Sequence, residues 1–151
     1  MKKTIVGAIH FPPMPGYPKY PGFDVTLANA VNDLRSFEGG GVDKVIIENN
    51  YDIPHKEEVD EKVVQTMIAL GTELKKLTKL PIGVSVLWND YTSAFRIAKA
   101  IGGIFIRVPV FVDSVKTSYG TIHGNPTEVL KTRKDLNCED IEVYADIHVK
   151  H

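Results

Sequence analysis

Residues 43–50 read Asp43-Lys44-Val45-Ile46-Ile47-Glu48-Asn49-Asn50, an apolar run of strand length that closes on a carboxylate and two amides. The same pattern recurs along the chain. Upstream, Thr4-Ile5-Val6-Gly7-Ala8-Ile9 ends at His10; downstream, Ile82-Gly83-Val84-Ser85-Val86-Leu87 follows Pro81 and stops at Asn89-Asp90. Ile104-Phe105-Ile106-Arg107-Val108 is a fourth run, and a fifth strand is expected from Ile141 to about Val149.

Helical periods lie between these runs. Asp24 is placed to cap a helix with apolar positions at Leu27, Ala30, Val31 and Leu34, ended by Gly39, Gly40 and Gly41. Val63, Met67, Leu70, Leu74 and Leu77, spaced by four and three, make a stronger stripe. Asp90 suits the N-cap of a helix carrying Ala94, Ile97, Ala98 and Ile101, with Gly102-Gly103 at its end. Asn125-Pro126-Thr127-Glu128 combines a cap, a proline in the first turn and an acid three residues on. The proline-rich stretch from Phe11 to Pro18 and the segment through Asp113, Gly120 and His123 read as loops. No change of composition marks a linker, so residues 1–151 are expected to form one domain.

Strands alternating with helices imply right-handed parallel βαβ units. Two architectures accommodate five of them: an open doubly wound sheet, and a (β/α)8 barrel of which five strands are only a part. Every run finishes in polar or ionisable residues. A barrel gathers all its strand ends round one mouth, whereas an open sheet concentrates its site at one switch point. The first βα turn, His10-Phe11-Pro12-Pro13, also lacks a glycine-rich phosphate cradle. The expected fold is therefore a parallel (β/α) TIM-type barrel truncated after the fifth strand, with the open five-stranded doubly wound sheet as the alternative.

Composition narrows the partners. With 18 basic against 19 acidic side chains there is no electrostatic footprint for nucleic acid or an anionic bilayer. No apolar run is long enough to cross a membrane and the N-terminus does not read as a secretory signal. The single cysteine, Cys138, fits a reducing cytoplasm and is expected to be an unpaired thiol near a surface turn.

Alternation along the fifth strand puts Val143, Ala145, Ile147 and Val149 on one face, toward helices. Tyr144, Asp146, His148 and Lys150 fall on the other, toward the mouth. Strand two likewise puts Ile46, Glu48 and Asn50 together, and strand four pairs Phe105 with Arg107. Asp146, His148 and Glu48 are the expected catalytic residues. His10, Asn49, Asn89, Arg107 and Lys150 are expected to bind substrate. Duller roles stand beside these: helix capping for Asp90, loop fixing for Asn49, a structural partnership of Arg107 with Glu48, and solvation of His55, His123 and His151.

Several stretches together resemble the BtpA family. They are Gly7-Ala8-Ile9-His10 with Met14-Pro15-Gly16, Ile46-Ile47-Glu48-Asn49 with Asp52-Ile53-Pro54, Pro81 to Asp90, Phe105-Ile106-Arg107-Val108, and Ala145 to His151. The resemblance implies a TIM-type barrel grouped with phosphate-binding barrels. For cyanobacterial relatives it implies a role in photosystem I biogenesis at the periphery of the thylakoid membrane. It also implies a longer chain, since a complete barrel takes about 250 residues.

Two functions follow as expectations. One is a cytoplasmic barrel enzyme using acid/base chemistry on a small anionic metabolite, phosphorylated metabolites included. The other is a non-catalytic assembly factor peripheral to a membrane. A divalent metal on Glu48, Asp146, His148 and His10 has no local ligand spacing behind it, so no metal ligand is assigned and the cofactor is left open. Self-association, or a complementary chain carrying further strands, is expected, because unpaired edges and uncovered lumen groups such as Val6, Ala8, Ile46, Leu87 and Phe105 invite a partner.

Overall fold

A computed structural model describes residues 2–149. In chain order the elements are β1 (Val6–His10), α1 (Phe23–Gly40), β2 (Lys44–Glu48), α2 (Glu61–Leu77), β3 (Ile82–Ser85), α3 (Tyr91–Ile101) and β4 (Phe105–Val108). A two-stranded hairpin follows, β5 (Ser114–Thr117) and β6 (Gly120–His123), then α4 (Pro126–Asp135) and β7 (Glu142–Ala145).

The main sheet is parallel and runs β1-β2-β3-β4-β7, each strand beside its predecessor in the βαβ series. A doubly wound sheet needs a point where the strand order reverses. None is present among the described residues, so the sheet is wound in one direction, as a (β/α) barrel is. Strand faces separate two environments. Ile9, Val45, Ile47, Val84, Ile106 and Val108 point into the buried core, where they meet Leu34 from α1, Val63, Met67, Leu70 and Leu74 from α2, and Phe95 and Ile97 from α3. The alternate residues point to the concave side.

The helix starts follow their local signals in two of the three proposed caps. The Asp90 carboxylate accepts from the Ser93 amide at 2.9 Å and the Asn125 side chain from the Glu128 amide at 3.1 Å. For α1 the expectation is corrected: Gly22 precedes the helix and Asp24 lies in its first turn, where an acid still complements the helix dipole. The left-handed Gly41 ends that helix, with φ of 76°.

Three further expectations change. The segment after β4 is a hairpin rather than an irregular loop; Val115 and Ile122 pack it onto Leu87, Trp88 and Val110. Cys138 is buried beneath the turn after α4, its thiol 3.9 Å from the Phe95 carbonyl, and desolvation pushes its pKa up. The last strand stops at Ala145, because β4, which supplies its ladder, ends at Val108. Ile147, expected to face helices, is fully exposed.

Candidate functional site

The register of the sheet fixes which side chains can meet. His10 lies beside Glu48, Glu48 beside Ser85, and Arg107 beside Tyr144. Because Gly83 pairs with Phe105 and Val84 with Ile106, Arg107 follows Ser85 in the same row. One row of polar residues therefore crosses all five parallel strands near their carboxyl ends, on the concave face. Asp146 joins it from just beyond β7.

Arg107 organises the row. Its Nε donates to Asp146 Oδ1 at 3.0 Å and its Nη2 to Asp146 Oδ2 at 2.7 Å, a two-pronged pair, while Nη1 donates to Glu48 Oε2 at 3.0 Å. The Asp146 hydrogen bond, opposed by burial and reinforced by Glu48, lifts the guanidinium above its already high pKa. His10 Nε2 is 3.5 Å from Glu48 Oε1 and its ring meets Tyr51 edge-on. Two carboxylates on one guanidinium leave a net negative cluster, with Glu48 only 4% exposed and His10 open to solvent. Three of the five guanidinium N–H groups are engaged, and two remain.

Below this row the concavity is apolar. It encloses about 300 Å³ and is lined by Val6, Ala8, Ile46 and Phe105 under His10, Glu48, Arg107 and Asp146. Phe105 is not the open lumen group expected from sequence. Its ring stacks on Tyr144 at 4.3 Å and it is 1% exposed. Lys44 Nζ donates to the Tyr144 hydroxyl at 2.5 Å and sits over both rings. Gly83 makes this floor possible, since a Cβ there would lie 2.2 Å from the Phe105 ring.

Of the residues expected at the site, His10, Glu48, Arg107 and Asp146 come together. Asn49 is turned to the opposite side of β2: its amide donates to the Asp52 carboxylate at 3.1 Å and to the Leu87 carbonyl at 3.3 Å, and its oxygen accepts from the Leu87 amide at 2.7 Å. It joins two loops rather than facing the concavity. Asn89 does the same for the β3 and β4 loops, exchanging bonds of 3.0 Å with the backbone N–H and C=O of Val110. His148 is not on a strand. It lines a neighbouring recess with residues 109–116, which shares Asp146 with the concavity, and is not itself among the residues of the concavity. Lys150 and His151 lie outside the described residues. The described residues contain no group of three or more His, Cys, Asp or Glu side chains arranged to hold a metal.

Two residues near Glu48 are not among the expected site residues. His55, expected to be solvated, is half-buried against Tyr119 of the hairpin; burial pushes its pKa down, opposed by the Glu48 charge. Ser85 is fully buried in the polar row and its hydroxyl has no hydrogen-bond partner among the described residues. A buried hydroxyl left unpaired costs about 1–3 kcal/mol. The alternation of Gly83, Ser85 and Leu87 in the third run was the available signal for it.

Comparison with known proteins gives this geometry a setting. A solved structure of 7,8-dihydropteroate synthase from Vibrio fischeri superimposes with a TM-score of 0.67 over 99% of this chain and 47% of that one, at 11% identity, which supports the TIM-barrel-like fold. An uncharacterised protein of Archaeoglobus fulgidus is 37% identical over the whole of this chain and 61% of its own length. The photosystem I biogenesis protein BtpA of a Synechocystis strain is 36% identical over 97% of this chain and 52% of its own length. The chain thus spans between half and about three fifths of these relatives. No helix among the described residues is long and apolar enough to cross a membrane. The BtpA family model matches residues 1–151, and the chain belongs to the BtpA family.

Proposed function

We propose that this chain forms the substrate-binding and proton-transferring part of a (β/α)-barrel enzyme that acts on a small anionic metabolite, phosphorylated metabolites included. The observation that carries the reading is the convergence of His10, Glu48, Arg107 and Asp146 over an apolar recess at the carboxyl ends of parallel strands. In this site the solvent-facing His10 is the proton carrier and Glu48 holds its ring and balances its charge. Arg107 meets the anionic group with its two free N–H donors, while Asp146 fixes the plane of the guanidinium. Acid/base work thereby moves from Asp146 and His148 to the His10–Glu48 pair. His148 lies beyond Asp146, at the neighbouring recess.

The reading places the protein in the cytoplasm, among soluble metabolites. It also calls for a partner, either a second copy or a chain carrying further strands, because among the described residues β1 and β7 each pair on one side only. The test is a thermal-shift screen of phosphorylated and carboxylated metabolites against the wild type and Glu48→Gln. Metabolites that stabilise the wild type and act more weakly on the variant support the site. A panel with no anionic hit would overturn it.

A second reading, an assembly factor at a membrane surface, is favoured by the name of the Synechocystis relative. Co-sedimentation with anionic vesicles, in the absence of any metabolite hit, would prefer it.

A further inference from the structure

Glu48 and Asp146 share Arg107, but they are not equivalent. The Asp146 side chain, 21% exposed at the end of β7, can turn into water when it is released from the guanidinium. Glu48, with a side chain 6% exposed, has no such outlet. Nη1 and Nη2 each keep one unused N–H, and an oxyanion that bridges both nitrogens comes up against Glu48 on Nη1. A buried carboxylate stripped of its donor is strongly disfavoured. An anion held across both nitrogens therefore crowds Glu48, a like charge, and binds best if Glu48 has somewhere else to go.

Ser85 is that place. It is the register partner of Glu48 on the adjacent strand, it projects from the same face, and its hydroxyl is buried and unpaired while Glu48 sits on Arg107. Neighbouring strands lie about 4.8 Å apart, so a change of the Glu48 rotamer brings its carboxylate to the Ser85 hydroxyl with the backbone fixed.

We propose that Ser85 is the second seat of Glu48: when a phosphate-type oxyanion occupies Arg107, the Glu48 carboxylate leaves the guanidinium and accepts the Ser85 O–H. Ser85 is then a positioning residue, acting through Glu48. The inference rests on the anionic-metabolite site proposed above and adds the device by which that site opens.

Calorimetric titration of inorganic phosphate into the full chain, at constant ionic strength, tests it with wild type, S85A, S85C, E48A and E48A/S85A. S85A should be as stable as wild type or more so without phosphate, because it loses an unpaired hydroxyl, yet bind phosphate about tenfold more weakly. S85C, similar in size and a poorer donor, should fall between, and it carries the comparison should S85A not fold. In the E48A background, with no carboxylate to reseat, the Ser85 substitution should change affinity by under about twofold. Equal binding by S85A and wild type, or the same loss in both backgrounds, would overturn the role of Ser85 and leave the anion site standing. A wild type that binds no phosphate would overturn both.

Discussion

Glu48 and Asn49 are neighbours in sequence and both are buried, yet they belong to different machines. Glu48 faces the concavity and shares Arg107 with a side chain that reaches solvent. Asn49 faces the loops and spends its amide on Leu87 and Asp52, which in turn accepts the Met14 amide at 2.7 Å. Asp90 belongs to the same class, accepting from the Val59 amide and from the Ser93 amide and hydroxyl. Residue type at a strand end therefore says little about role. What separates the two regions is whether a side chain's partners are backbone groups of other loops or ionisable side chains that can be exchanged for a ligand.

Stability measurements can break this contrast. The largest loss is expected for Asn49→Ala, which strands the Leu87 amide and carbonyl and removes a donor from Asp52. At about 1–3 kcal/mol for each buried group left unpaired, the total should reach about 3 kcal/mol or more, read as a fall in urea midpoint at unchanged slope. Gly83→Ala should come next. Its Cβ strikes the Phe105 ring and forces the aromatic floor to shift, at a cost of about 1–3 kcal/mol by the same measurement.

Glu48→Gln should cost less, about 1 kcal/mol, because Arg107 keeps its two-pronged bond to Asp146 and an amide fits the same space. Its effect should appear in anion binding instead. A Glu48→Gln protein as unstable as Asn49→Ala would erase the distinction between the two regions.

The smallest effect concerns His55, packed edge-on against Tyr119. Burial holds its pKa below the ordinary 6.5 in the folded state. The folded protein thus binds fewer protons than the unfolded chain. Its contribution is complete above about pH 6.5 and is lost as pH falls from there through the folded pKa. His55→Gln, which does not titrate, should lose less stability between pH 7 and pH 5 than the wild type. Parallel curves for the two would show that His55 is solvated after all.

These contrasts also mark what the sequence made legible. Capping is local, so Asp90 and Asn125 could be placed from spacing alone, and the polar strand ends pointed to one mouth. The Asn49 bonds to Leu87 span 38 residues, and no local pattern announces that Leu87 will arrive beside it. The last strand was read too long because alternation continues to Val149, whereas strand length is set by the neighbour that supplies hydrogen bonds, and β4 ends at Val108. The hairpin is hard to read from sequence because its strands are four residues each and mostly exposed. The alternation of Val115 and Ile122 on either side of Ser118-Tyr119 was the signal for it. Ser85 escaped notice because a serine in an apolar run looks like packing until its register partner is known.

The central claim, that the row from His10 to Asp146 is where a ligand binds, is tested most directly by NMR of the Arg107 side-chain Nε–H and the His10 ring during titration with a metabolite that stabilises the protein. The account predicts that both signals move in step with binding, while the backbone amides of Asn49 and Val110 in the loop ties stay still. Shifts confined to the recess of residues 109–116 or to the loop ties, with Arg107 and His10 unmoved, would contradict it.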